Sequence, residues 1–259
     1  MCIFTTHTPV EAAHDKFPYD LVRDVLGEIV PFDALKKLGG EDRLNMTLLA
    51  LNLSNYINGV SKRHRVVSRE MFPSYEIHAI TNGVHSYTWT CESFRRLYDR
   101  YLPGWAYKPE LLARVDVITN DELWQAHMEA KRRLIDYVNS VTSAKMSYET
   151  LTIGFAKRAT AYKRHTLIFL DMERLRRINR RGRIRLIFAG KAHPRDESEK
   201  RIIEEILRYR SALGGEVEIA YLENYDVEVA AKLVSGVDIW LNTPLPPLKQ
   251  YGLPQSHHR

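Results

Sequence analysis

The sequence predicts an α/β protein built on a parallel, Rossmann-like sheet, and three observations carry that prediction. Between residues 151 and 241, four short apolar runs, LTIGF, IRLIFAG, EVEIAYL and VDIWL, are separated by stretches with helical periodicity. The runs are apolar throughout instead of alternating, which is the pattern of strands covered on both faces. Strand and helix alternate regularly, which is the order of βαβ units. In such sheets ligands sit beyond the carboxyl ends of the strands. Those ends are Phe155-Ala156-Lys157-Arg158, Gly190-Lys191-Ala192-His193, Glu223-Asn224-Tyr225 and Asn242-Thr243-Pro244.

The elements follow in chain order. Cys2 to Thr5 reads as a short buried strand leading into Thr6-His7-Thr8-Pro9, where Pro9 pushes Thr8 toward extended geometry. Leu44 to Ile57 is apolar nearly all round and reads as a buried helix stopped by Asn58-Gly59. Ser61 to Phe72 reads as a more polar helix ending before Pro73, and Tyr75 to Ile80 as a strand followed by a tight turn at Thr81-Asn82-Gly83. Thr119 with Glu122 makes a capping box, opening a helix to about Asn139 with Leu123, His127, Ala130, Leu134 and Val138 as its inner stripe. Helices are expected at roughly 163–179, 197–210 and 227–234, and strands at 151–155, 184–190, 216–222 and 237–241.

Composition excludes several classes. The chain has 259 residues, 44% apolar and 27% charged, the balance of a folded globular protein and not of a disordered or collagen-like one. No run of about 18 apolar residues occurs, so no membrane-spanning helix is expected. MCIFTTHTPV lacks a basic start followed by a long apolar stretch, so no signal peptide is expected. The only cysteines, Cys2 and Cys91, fit a reducing, cytoplasmic setting and no metal site. The net charge of +6 is concentrated: Asp171 to Arg185 holds seven arginines and two acids. That window reads as a solvated helix face, and its lack of interleaved aromatics argues against a nucleic-acid footprint. There is no GxGxxG and no P-loop.

Three stretches can carry chemistry. In GFAKRATAYKR, residues 154–164, Lys157, Arg158 and Lys163 stand at a strand end and the expected start of a helix. Fixed cations beside free helix N–H groups suit phosphate. In ITNGVHSYTW, residues 80–89, Asn82 offers an amide to sugar hydroxyls and Trp89 a flat apolar face. His7, in FTTHTPV, can bind substrate or move a proton. Each has a plainer reading: surface cations, an ordinary turn with a core tryptophan, and a histidine that stabilises its loop.

Taken together, FTTHTP, HDKFP, NMTLLALNLSNYINGVSKRH, ITNGVH, LYDRYLPGW, LTIGFAKRATAYKR, IFAGKAHPRDE, YLENYDVEVA and GVDIWLNTP strongly resemble, in order over residues 2–248, the α-glucan phosphorylases, the glycogen and maltodextrin phosphorylase family, in its shorter bacterial and archaeal branch. The resemblance implies a glycosyltransferase-B-like arrangement of two Rossmann-like domains. Residues 1–80 would be a helix-rich remnant of the N-terminal cleft domain. Residues 81–259 would be a partial C-terminal Rossmann-like domain, with a helical lead-in at 90–140 and its sheet at 151–241. It implies a retaining reaction in which inorganic phosphate attacks the terminal α-1,4 bond of a glucan and releases glucose 1-phosphate, with pyridoxal phosphate contributing its phosphate group.

By the same resemblance Lys157 and Arg158 contact substrate and cofactor phosphates, Lys163 adds a cation on the cofactor phosphate, and Trp89 is a wall near the cofactor. Asn82 binds a glucose hydroxyl, Tyr225 stands near the mouth of the site, and His7 lines the cleft. The family's E-A-S-G-T-x-x-M-K motif, whose lysine holds pyridoxal phosphate, has no counterpart in KQYGLPQSHHR at 249–259. The expectation is therefore a middle fragment that is inactive as this chain. A nucleotide-sugar glucan synthase and a non-enzymatic anion or nucleic-acid binding module are the alternatives; TAYKR and LENYDVEVA favour the phosphorylase.

Overall fold

The computed structural model describes residues 2–7, 14–27 and 29–245. His7 lies just after a strand, while the Thr8-Pro9 part of the predicted loop and residues 249–259 lie outside the described residues. The chain divides into two units, His85–Pro244 and the remainder.

The first unit holds β1 (Ile3–Thr6), β2 (Lys16–Pro18), α1 (Tyr19–Leu26), α2 (Phe32–Gly39), β3 (Arg43–Asn45), α3 (Met46–Leu53), β4 (Tyr56–Gly59), α4 (Lys62–Met71) and β5 (His78–Ala79). Strands β1, β4 and β5 form a parallel sheet in that order, with Phe4 opposite Ile57 and Asn58 opposite His78, and β2 pairs antiparallel with β3. One core gathers Val22, Leu35 and Leu44, and another gathers Leu51, Ile57 and Ile77.

Three expectations fail in this unit. The single helix at Leu44–Ile57 is instead strand, helix and strand. The Asn45 side chain accepts from the N–H groups of Thr47 and Leu48 at 2.9 and 3.2 Å, so the helix starts only after it. A run that is apolar all round does not distinguish a buried helix from a buried strand by periodicity. Asn58-Gly59 therefore ends no helix but sits inside β4, and a Cβ on Gly59 would lie 2.5 Å from His64 Nδ1, so the glycine serves a close approach. The strand at Tyr75–Ile80 shrinks to β5. Thr81-Asn82-Gly83 forms no turn: the run is irregular and exposed, with the Asn82 N–H donating to the Val60 carbonyl at 3.1 Å.

The second unit holds α5 (Ser86–Trp89), α6 (Glu92–Tyr101), α7 (Asn120–Val141), β6 (Leu151–Ala156), α8 (Met172–Arg181), β7 (Ile184–Ala189), α9 (Glu197–Ala212), β8 (Glu218–Leu222), α10 (Val227–Gly236) and β9 (Ile239–Trp240). The expected four-stranded parallel sheet is present, in the order β8-β7-β6-β9. Successive residues of β7 serve opposite faces. Leu186 and Phe188 pack with Phe169, Leu175 and Ile206, whereas Ile187 and Ala189 pack with Leu134, Ile135, Val138 and Leu233. Both faces are thus covered, α8 and α9 on one side and α7 and α10 on the other. Each fully buried aliphatic side chain contributes roughly 1.5–3 kcal/mol.

The capping box forms: Thr119 Oγ1 accepts from the Glu122 N–H at 3.3 Å and donates to Glu122 Oε2 at 2.8 Å. Helix α10 approaches α7 so closely that a Cβ on Gly236 would stand 2.6 Å from Leu134 Cβ. The arginine-rich window is α8 and its exit. Arg174, Arg177, Arg180 and Arg181 are exposed, while Arg176 pairs with Glu173 at 2.6 Å and Glu216 at 3.0 Å. Among the described residues no helix is long and apolar enough to cross a membrane.

One expectation here needs correction because it bears on the site. The helix expected at 163–179 begins only at Met172, where Asp171 Oδ1 accepts from the Arg174 N–H at 2.8 Å. Before it lie two short 3₁₀ turns, Ala161–Lys163 and Leu167–Phe169, separated by Arg164 in the left-handed region at φ 50°. The Lys157–Arg158 segment therefore follows a strand but does not open an α-helix.

Candidate functional site: a cationic loop at the carboxyl edge of the second sheet

The carboxyl end of β6 turns sharply at Lys157, and backbone bonds zip this turn to the end of β7. The Lys157 N–H donates to the Ala189 carbonyl at 3.1 Å, and the Ala159 N–H to the Lys191 carbonyl at 3.4 Å. The approach is tight enough that a Cβ on Gly190 would lie 2.2 Å from the Lys157 carbonyl oxygen. Tyr221 of β8 reaches over from the next strand, its hydroxyl donating to the Gly190 carbonyl at 3.0 Å. On the other flank, residues just beyond β9 tie down the basic segment. Lys157 Nζ donates to Asn242 Oδ1, Arg164 Nε donates to the Thr243 carbonyl at 2.7 Å, and Thr243 Oγ1 donates to the Lys163 carbonyl at 3.2 Å.

This scaffold brings cations together. Burial, reinforced by the nearby charge of Lys163, lowers the Lys157 ammonium to about 8. Burial and the Arg158 charge also lower Lys163, with Glu199 opposing them. Glu199 is itself buried, and its Oε2 accepts from the His193 N–H at 2.7 Å. Arg158 is exposed at the mouth of the loop. A cluster of partly desolvated like charges is costly in itself and is relieved by an anion.

The charge of Lys163 bears on Lys157 and that of Arg158 on Lys163, so the three cations are neighbours, set by a turn and 3₁₀ geometry and not by a helix N-terminus. Tyr225 follows β8 in the same unit; it is half-buried against the α7–α10 core, and burial raises its hydroxyl. Trp89 ends the four-residue α5 and is half-buried. His7 and Asn82 belong to the first unit, each exposed and each just beyond a strand of its parallel sheet, after β1 and β5. Sequence reasoning missed His165, Glu199 and Arg164 as parts of the cationic site. Asn-Thr directly after the last strand was the legible signal for the β9 anchor; nothing local marked the other three.

Comparison with known proteins places the sequence in a family. The family model for carbohydrate phosphorylase matches residues 32–242. A maltodextrin phosphorylase of Thermococcus litoralis is 40% identical over 281 aligned positions, spanning 96% of this chain and 34% of the relative. Glycogen phosphorylases of Aquifex aeolicus and Mycobacterium tuberculosis are 37% and 33% identical, each across 96% of this chain and across 42% and 34% of the relatives. The chain spans between a third and a half of the length of these relatives. By the extent of the family match and by these identities, the chain belongs to the carbohydrate phosphorylase family.

Proposed function

We propose that the chain is the phosphate-handling part of an α-1,4-glucan phosphorylase, which cleaves a glucan with inorganic phosphate to release glucose 1-phosphate. The observation that carries this reading is the Lys157–Arg158–Lys163 cluster, held by Asn242, Thr243 and Gly190 around cations that burial leaves short of counter-charge. A neutral sugar alone does not call for such a cluster; a phosphate does. Lys157 and Arg158 bind the substrate phosphate, Arg158 by a two-pronged guanidinium contact. Asn242 orients the Lys157 ammonium.

The donor set also fits the phosphate end of pyridoxal phosphate. Lys163 and Arg158 would hold it, with Trp89 as a wall. When bound, that group supplies a second phosphate able to exchange a proton with the substrate phosphate. The fixed cations of this loop then offset the repulsion between two anions brought close together. His7 and Asn82 supply polar groups for sugar hydroxyls, and Tyr225 stands near the entrance in this reading. The setting expected for the enzyme is cytoplasmic.

The test is a phosphate titration followed through backbone amide shifts. Amides of residues 156–160 should move, and Arg158→Lys should weaken the titration roughly three- to tenfold, because a point charge loses one prong of the contact, about 1 kcal/mol. Amides that stay in place, or an unchanged titration in the variant, would remove the anion-site reading.

A further inference from the structure

His165 is a buried titratable group beside the cationic loop that the phosphate reading leaves without a role. It is 4% exposed, between the two 3₁₀ turns, with its ring 4.6 Å from the Phe155 ring on β6. Its Nε2 lies 3.3 Å from the Lys157 carbonyl oxygen. A carbonyl only accepts, so Nε2 carries the proton and the imidazole is the neutral tautomer with a bare Nδ1. That Nδ1 is buried with no partner among the described residues. Burial lowers the ring to about 4, and the Lys163 and Lys157 charges add to the effect against the Lys157 carbonyl, so the ring stays neutral near pH 7.

The Lys157 carbonyl is thereby gripped from two sides. Gly190 closes one side, where no Cβ fits, and the His165 N–H holds the other. Lys157 N–H is fixed to Ala189, so the peptide units on both sides of Lys157 are pinned. This is the residue whose ammonium leads the cluster and whose successor is Arg158. A buried histidine with one unsatisfied nitrogen costs stability, and an apolar side chain of similar size would fill the space without that cost. The retained N–H donor is what the imidazole adds.

We propose that His165 is a positioning residue that sets the Lys157–Arg158 turn in its anion-binding conformation through its hydrogen bond to the Lys157 carbonyl. The role rests on the phosphate reading above, and the experiment separates the two. His165→Leu keeps an apolar filler against Phe155 and removes the donor; His165→Gln keeps a donor at similar reach. Phosphate is titrated into wild type and both variants, hydrogen exchange is measured at the Lys157 and Ala159 amides, and thermal midpoints are recorded. The expected result is a roughly three- to tenfold weaker phosphate titration and faster exchange at both amides in His165→Leu, with His165→Gln close to wild type on both readouts.

A His165→Leu protein that matches wild type on both readouts overturns the proposal, as does a His165→Gln protein as impaired as the leucine variant, since packing and not the hydrogen bond would then matter. If phosphate moves no amide at 156–160 even in wild type, the phosphate reading fails, and exchange alone decides the proposal. Faster exchange in leucine but not in glutamine sustains it, and equal exchange ends it.

Discussion

Gly190→Ala is expected to cost about 3 kcal/mol of stability and to weaken phosphate binding more than tenfold, the largest effect of any single methyl group in the second unit. The added Cβ would stand 2.2 Å from the Lys157 carbonyl oxygen, a backbone atom that cannot rotate aside. Either β7 or the Lys157 turn must move. The turn is the softer of the two, because β7 is paired with strands on both sides from Arg185 to Ala189. Moving the turn breaks the Lys157–Ala189 and Ala159–Lys191 bonds, pulls the carbonyl from His165 and shifts the ammonium away from Asn242. Gly182→Ala is the matched control: its added Cβ meets nothing within 4 Å and its φ of −161° is ordinary extended backbone, so stability should stay within about 0.5 kcal/mol. Thermal or urea unfolding of both variants, with phosphate titrations, checks this. A Gly190→Ala protein that unfolds and binds like Gly182→Ala would show that the turn is not fixed as described.

The parallel sheet was legible because short apolar runs alternate with longer stretches of helical periodicity, and its central strand β7 is buried on both faces. In β7 every residue from Ile184 to Ala189 is buried, including Arg185, whose guanidinium donates to the Ser147 carbonyl. The capping box at Thr119 was legible for a similarly local reason, since both partners lie within one turn. Where the sequence misled, the signal was local and the determinant was not. Leu44–Ile57 carries enough apolar residues for a helix throughout, but its last residues pair with β1, more than fifty positions earlier. Lys163–Asn179 carries helical periodicity at its end only. Its beginning is bent by Arg164, which takes a left-handed backbone while its side chain bonds to Thr243.

The site divides along the same line. Lys157, Arg158 and Lys163 are near neighbours in sequence, so their cluster could be read directly. The pairing with their anchors could not: Asn242 and Thr243 were legible as polar residues after the last strand, but not as partners of this loop. Asn242 is 85 positions from Lys157, and His165 gives no sign in the sequence that it turns back to a carbonyl eight residues earlier. The helix N-terminus invoked for anion binding is absent, and the charge cluster is built by a zipped turn instead. The motifs carried the family; the physical reason that the cations meet belongs to the sheet edge.

Asp238→Asn should destabilise the second unit by about 3 kcal/mol while leaving phosphate binding at 156–160 within twofold. Asp238 precedes β9 and is the hub of a buried network at the edge of the sheet away from the cationic loop. Its Oδ1 is 2.8 Å from His127 Nε2, and its Oδ2 accepts from Lys131 Nζ at 2.7 Å and from the Thr152 N–H at 2.6 Å. The Lys131 side chain is 3% exposed, so neutralising its partner leaves a buried ammonium without a counter-charge, a change worth about 3–5 kcal/mol in comparable pairs. Asparagine still accepts from Thr152 with its amide oxygen, which places the expected cost at the lower end. Lys131→Met in the same chain should restore most of the loss, because it removes the stranded charge and keeps a side chain of similar length in the buried space.

The pH dependence has a definite sign. Burial alone would raise the Asp238 carboxyl, but the bonds from His127, Lys131 and Thr152 overcome it and hold the group at about 2 against an ordinary 3.8. A depressed carboxylate lends stability that is present above pH 4 and is lost as the pH falls toward 2, here about 2 kcal/mol. Unfolding midpoints measured from pH 6 down to pH 2 should therefore fall more steeply in wild type than in Asp238→Asn. Parallel acid limbs in the two proteins would mean that Asp238 titrates normally and that the network contributes little. A steeper wild-type limb with unchanged phosphate shifts at 156–160 would place the stability of the second unit in the α7–β9 network and its anion chemistry in the turn after β6, as two separable properties of one sheet.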